Sequence, residues 1–335
     1  MSLSTVADNG SLLDALRSRT VAVIGYGNQG EAHALNLRDS GIAVIVGSRA
    51  GSDSGQRAAA HGFPVMSIPQ SVARADLVVV GLPDEIHGAV FAESIAPALR
   101  PDAVVGFIHG FSVRYQRVHP PRETGVVLVA PKGPGATLRE RFVQGTGIPC
   151  LFAVHQDNPS RTAEAIGLAW ASGIGCGRAR IVRSSFADET ETDLFGEQAV
   201  LCGGLSALVV AAFEILVEAG YPEELAYIEC CHEVKQVADL VYTRGPAGMR
   251  KAISNTAEFG AYRAGPRLVD DSVRDRMRQL LAEVRNGTFA KAMADDQAAG
   301  FPWFEAQRRE GAAHPIERAS ETVRGWMERK GDGER

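Results

Sequence analysis

The chain has 335 residues, with 35 basic and 40 acidic side chains (net −5), 45% hydrophobic and 22% charged residues. That length fits two domains of roughly 100–200 residues each. The composition excludes a mainly disordered chain, and it offers no basic block for nucleic acid or an anionic membrane surface.

Residues 1–11 lack a basic stretch followed by an apolar one, so no secretory leader is expected. The five cysteines, Cys150, Cys176, Cys202, Cys230 and Cys231, are odd in number and form no CxxC pair. They suit reduced thiols in a cytoplasmic protein better than a disulfide framework or a zinc ribbon. From Thr20 to about Phe186, short Val- and Ile-rich runs alternate with helix-like segments. Strands are expected at 21–25, 42–47, 77–81, 103–108, 126–130 and 150–154, with a short one at 180–182, and a helix at 159–171. Buried parallel strands separated by helices read as a doubly wound α/β domain of the Rossmann type. After Ser185 the pattern turns helical, at 193–219, 223–242, 250–258 and 272–286. Two domains follow, 1–184 and 185–329. Residues 198–213 are uncharged and apolar all round, and these 16 residues fall short of the ~20 a spanning helix needs. They are expected to form a core helix enclosed by others. One helical domain can hardly cover so much apolar surface, which predicts a symmetric partner copy.

Gly25-Tyr26-Gly27-Asn28-Gln29-Gly30 matches GxGxxG between an apolar run and an apparent helix. In that context the glycines let backbone approach a pyrophosphate at a helix N-terminus. After the second strand, Arg49, Ser52 and Ser54 offer a cation and two hydroxyls suited to a 2′-phosphate, which favours NADPH. Asp53 among them dissents, since a carboxylate there suits a ribose hydroxyl. Asp193 with Glu197, and Glu229 with Glu233, each place two carboxylates four residues apart on one helix face. Four such oxygen ligands suit a pair of magnesium ions, one carboxylate bridging. His109-Gly110-Phe111 and Ala130-Pro131-Lys132-Gly133-Pro134-Gly135 end strands four and five, where doubly wound domains bind ligands. Ser254 reads as a helix N-cap.

With GYGNQGEAHALNLRDSG, APKGPG, ETETDLFGEQAVLCGG, EAGYPEELAYIECCHE, SNTAEFGAY and HPIE in this order, the chain resembles the ketol-acid reductoisomerase family in its short class I form. The resemblance spans Val21 to Met327. It implies an all-helical, knotted C-terminal domain and two subunits sharing each active site. By the same resemblance Asp193 is a bridging magnesium ligand, with Glu197, Glu229 and Glu233 completing the set. His109 and Lys132 match the family's active-site His and Lys, and Ser254 a serine that contacts substrate in the neighbouring subunit. Gly25, Tyr26, Gly27, Gln29, Gly30, Arg49, Ser52, Ser54 and Gly135 match positions around the cofactor.

The implied activity is magnesium-dependent alkyl migration in 2-acetolactate or 2-aceto-2-hydroxybutanoate. NADPH reduction then gives 2,3-dihydroxy acids, on the routes to valine and isoleucine. Glu31, Ser112-Val113-Arg114, Ala136-Thr137, Ile228 and Cys231 depart from common family choices. They keep open a specialised paralogue acting on another 2-hydroxy-3-keto acid. A metal-free NADP-dependent hydroxy-acid or imine reductase is a second alternative, and a cofactor-binding sensor that has lost its chemistry a third. The expected assembly is a homodimer or a higher oligomer of such dimers, with no nucleic acid or membrane partner.

Overall fold

Alternation along the Val- and Ile-rich runs builds a sheet buried on both faces. Val21 and Val23 belong to one apolar cluster and Ala22 and Ile24 to the other; Leu77 and Val79 oppose Val78 and Val80 in the same way. All eight are at most 2% exposed, as a sheet with helices on both faces requires. The computed structural model describes residues 3–8 and 10–328. In chain order the first half runs β1 (Thr5–Val6), β2 (Thr20–Ile24), α1 (Asn28–Asp39), β3 (Ala43–Gly47), α2 (Asp53–Ala60), β4 (Val65–Met66), α3 (Ile68–Val72), β5 (Leu77–Val80) and α4 (Asp84–Val90). It continues through β6 (Val104–Phe107), α5 (Phe111–Arg114), β7 (Gly125–Pro131), α6 (Gly135–Val143), β8 (Cys150–Gln156), α7 (Ala163–Gly173), β9 (Ile181–Arg183) and α8 (Phe186–Gly196).

The sheet order is β1-β9-β8-β7-β6-β5-β2-β3-β4. Strands β2 to β7 pair in parallel, and β2 is flanked by β3 and β5, which places the reversal of strand order beside the glycine-rich turn. Two features depart from the expected all-parallel pattern. Strand β8 runs antiparallel to β7, because the α6 connection returns to the end it left: Pro131 pairs with Cys150. The two-residue strands β1 and β4 were too short to show a period, and β1 joins β9 antiparallel.

The chain separates into two compact units, Met1–Thr192 and Asp193–Arg335, the division between them falling inside α8. The second unit is helical: α9 (Gly203–Glu218), α10 (Glu223–Tyr227), α11 (Val234–Arg250), α12 (Asn255–Leu268), α13 (Asp271–Asn286), α14 (Thr288–Ala298), α15 (Pro302–Ala312) and α16 (Pro315–Glu328). Phe213, Ala226, Tyr227, Ile316, Ala319 and Val323 form its core. The helix expected at 250–258 is absent: α11 kinks at Gly245-Pro246, runs on to Arg250, and a turn leads to Ser254, which caps α12.

The apolar segment 198–213 is also not enclosed as expected. Phe213 is buried, but Leu201 is 65% and Leu208 56% exposed. Within the 33-residue run Phe186–Glu218 an 18-residue window has mean hydropathy 2.3, and 6% of that window is buried. It is the one run among the described residues long and apolar enough, by length and composition, to cross a membrane. Ala199 and Phe213, near the two ends of this segment, are buried, and most of the residues between them are exposed.

Candidate active site

Glycines fix the shape of the first strand-end turn. Gly25 has φ +89°, and a Cβ there would lie 2.7 Å from the Gly81 carbonyl oxygen. At Gly30 a Cβ would meet the Gly25 oxygen at 2.3 Å, whereas a Cβ on Gly27 would find nothing within 4 Å. The turn is therefore tight underneath and open at Gly27, as a cradle for a pyrophosphate must be. Gln29 Nε2 donates to the Gly133 carbonyl at 3.0 Å, tying this turn to the Lys132-Gly133-Pro134-Gly135 turn. Tyr26 points inward: it is 1% exposed, its hydroxyl lies 2.8 Å from His61 Nδ1, and burial raises its pKa to about 12. Its side chain anchors the turn rather than facing a ligand, and Arg57 Nη2 donates to its carbonyl at 3.0 Å.

Beyond β3, Ser52 caps α2, accepting from the Gly55 N–H and donating to the Arg49 carbonyl at 2.9 Å. Ser54 donates to Ser52 at 3.4 Å. Arg49 and Asp53 are both exposed. Of the three residues expected at a 2′-phosphate, the cation is presented to solvent while the Ser52 hydroxyl proton is held by the backbone.

An ion pair built on a buried carboxylate lies beyond the ends of β6 and β7. Glu189, on α8 and 1% exposed, accepts from Lys132 Nζ at 2.7 Å through Oε1 and from the Gly110 N–H at 2.9 Å through Oε2. Gly110 is a glycine for a steric reason: a Cβ would sit 2.4 Å from Thr190 Oγ1. Arg114 adds a second tie to α8, donating to Glu191 Oε1 from Nε at 3.0 Å and Nη2 at 2.9 Å. His109 Nδ1 lies 2.8 Å from Asp84 Oδ2, and its ring stacks on Phe111. Asp193 follows Glu189 by one turn of the same helix, so the two share a face.

Both carboxylate pairs border a widened helical turn. Glu197 opens the segment Glu197–Leu201, where the Cys202 N–H donates to the Glu197 carbonyl five residues back at 2.8 Å. Glu229 lies within Ile228–His232, and the Glu233 N–H closes that segment on Ile228 O at 3.2 Å. Such π-turns cost helix regularity and recur at functional sites. Within the helical unit the second π-turn packs against α9. Ser254 is exposed and caps α12, accepting from the Ala257 N–H at 3.2 Å.

Two family descriptions match consecutive stretches: acetohydroxy acid isomeroreductase, NADPH-binding domain, over residues 15–180, and ketol-acid reductoisomerase, C-terminal domain, over residues 186–329. The chain belongs to the ketol-acid reductoisomerase family. An NADH-preferring ketol-acid reductoisomerase from an uncultured archean is 39% identical, covering 96% of this chain and 98% of that one, with a TM-score of 0.93. A semialdehyde dehydrogenase NAD-binding protein from Cupriavidus necator (19% identity, 80% and 99% covered, TM-score 0.60) shares the fold alone. So does a putative oxidoreductase from Jannaschia (18%, 80% and 97%, TM-score 0.58). As a ketol-acid reductoisomerase of the short class I form, the chain is an oxidoreductase with a nicotinamide-cofactor domain and a helical C-terminal domain.

Two acidic residues were not singled out from sequence. Glu189 stands in the acidic run 188–193, and its place one turn before Asp193 was the available signal. Asp84 follows β5 at the same sheet end as His109, but only the fold brings the two together.

Proposed function

We propose that this reductoisomerase converts 2-acetyl-2-hydroxy acids, 2-acetolactate and 2-aceto-2-hydroxybutanoate, to 2,3-dihydroxy acids for valine and isoleucine synthesis. The carrying observation is that the buried Glu189, paired with the half-buried Lys132, lies one helical turn before Asp193, so a proton-handling carboxylate and the first carboxylate of the acidic set share one helix face. Asp193, Glu197, Glu229 and Glu233 are hard oxygen donors at two π-turns, a set that suits two magnesium ions. The open Gly27 cradle suits a dinucleotide pyrophosphate. When bound, magnesium supplies Lewis-acid polarisation of hydroxyl and carbonyl oxygens and the reduced nicotinamide supplies hydride.

The chain's own residues manage protons and position. As the alkyl group leaves C2 for C3, the C2 hydroxyl loses a proton and the C3 oxygen gains one. Reduction at C2 takes one more. Glu189 can hold and return a proton at a carboxylate oxygen, with Lys132 compensating its charge in the ionised form. His109 offers a ring nitrogen at the same sheet end.

NADPH is the proposed cofactor, on the exposed Arg49 guanidinium beside Ser52 and Ser54. Asp53 would act against it, and the NADH preference of the 39%-identical archean enzyme makes the comparison of kcat/KM decisive. The proposed assembly is a cytoplasmic homodimer with knotted helical domains and shared sites, Ser254 serving the neighbour. The exposed apolar face of α9 supports that assembly and would take a partner copy rather than a membrane. The test follows NADPH oxidation with 2-acetolactate, with and without magnesium. Turnover should require the metal, and Asp193→Asn should abolish it while NADPH binding persists. Turnover that survives chelation would instead mark a metal-free reductase.

A further inference from the structure

We propose that Asp84 is a positioning residue that fixes His109 as its Nδ1–H tautomer, and that His87 and Ser112 reserve the Asp84 carboxylate for that task. The inference rests on the reading above only in taking His109 to serve the reaction.

The assignment follows from what each neighbour can give or take. Asp84 Oδ2 lies 2.8 Å from His109 Nδ1. An ionised carboxylate only accepts, so the proton of that bond sits on Nδ1. In the neutral ring Nε2 then carries a lone pair and acts as an acceptor or base rather than a donor. The near-parallel Phe111 ring, 28° off plane at 6.1 Å between centroids, restrains the imidazole from turning.

A second imidazole stands on the other side of Asp84. His87, three residues along α4, is 3% exposed, and its Nδ1 lies 3.6 Å from Asp84 Oδ1. It could compete with His109 for the carboxylate, but its own bonds prevent this. His87 Nε2 is 2.8 Å from the Leu82 carbonyl, a pure acceptor, so Nε2 carries the hydrogen. Burial disfavours the doubly protonated ring and lowers its pKa, which leaves Nδ1 as a lone pair. Ser112 Oγ, 2.9 Å away, donates to it. The 3.6 Å approach is therefore a lone pair beside a carboxylate and not an ion pair. Of the two rings flanking Asp84, only His109 brings it a proton. Ser112, one of the departures from common family choices, thereby has a role: its hydroxyl occupies His87 Nδ1.

The test pairs a spectroscopic readout with kinetics. In mildly alkaline buffer, 15N-histidine-labelled protein without substrate should show His109 protonated on Nδ1, assigned by the signal lost in His109→Gln. Asp84→Asn offers the ring an amide N–H instead, so the His109 proton should move to Nε2. With 2-acetolactate, kcat should fall about 10²-fold or more, while NADPH affinity stays within about twofold of the parent. Asp84→Glu, which keeps a carboxylate, should restore the Nδ1–H signature and part of kcat. A parent His109 protonated on Nε2, or an Asp84→Asn enzyme with unchanged kcat, overturns the proposal. If Asp84→Asn does not fold, the parent spectrum and Asp84→Glu decide. A parent enzyme inactive on 2-acetolactate would sink the functional reading, and the spectrum would still decide the tautomer.

Discussion

Glu189 is a carboxylate almost wholly removed from water, and Lys132 with the Gly110 N–H is what makes that tolerable. Breaking a buried pair by removing one partner costs about 3–5 kcal/mol, much of it for the charge left behind. Lys132→Met should therefore lower stability by about 3 kcal/mol in urea titrations, beyond its effect on turnover. Lys132→Met with Glu189→Gln should recover most of that loss, because no buried charge is then stranded. His33 gives a second effect, readable by pH. It is fully buried, accepts from Trp170 Nε1 at 3.0 Å, and has its pKa lowered by burial to about 3. Between the ordinary histidine value of about 6.5 and about 3, the unfolded chain binds a proton that the folded chain refuses. This contribution is thus intact above pH 6.5 and lost as pH falls toward 3. Unfolding free energies across that window should drop by up to about 1.4 kcal/mol per pH unit in the parent, and less steeply in His33→Gln.

Among the elements, the join between α1 and α6 is the least forgiving. A Cβ on Gly135 would lie 1.9 Å from the Asn28 carbonyl oxygen and 3.0 Å from the Gln29 nitrogen, both backbone atoms that no rotamer change can move. Gly135→Ala should displace the N-terminus of α1 and raise the NADPH dissociation constant about tenfold or more, measured by fluorescence titration. The strands β2, β3 and β5 to β9 were legible because buried β-structure writes Val- and Ile-rich runs into sequence. The two-residue edge strands and the antiparallel return at Pro131–Cys150 were not, since neither length nor direction leaves a period. The helices that carry the four carboxylates were legible through their spacing, but the π-turns beside them were not. A one-residue widening changes no residue type, only a hydrogen-bond partner. Ser254 was legible as a cap and is one. Asp84 was hidden for a different reason: its relation to His109 exists only across two neighbouring parallel strands.

For the whole molecule, the exposed side chains of the helical unit matter most. Leu201 and Leu208 lie bare on a helix whose apolar stretch was expected to be enclosed. A homodimer that covers them should lose that contact in Leu201→Glu/Leu208→Glu, and light scattering should then report a single-chain mass. If the covering copy is part of what holds the helical unit together, concentration enters its stability by mass action, and the midpoint of thermal unfolding rises with protein concentration. Dilution then becomes a denaturant for this unit and not for the α/β unit, whose core its own sheet and helices supply. Melting curves over a range of concentrations, read from Trp303 and Trp326 in the helical unit against Trp170 in the sheet core, should separate the two transitions as the sample thins. In such a homodimer the same helix would have to wait, during synthesis, for a second chain. Until it arrived, each new molecule would carry the 18-residue apolar window of that helix in water, and the yield of native protein would depend on how often two nascent copies meet.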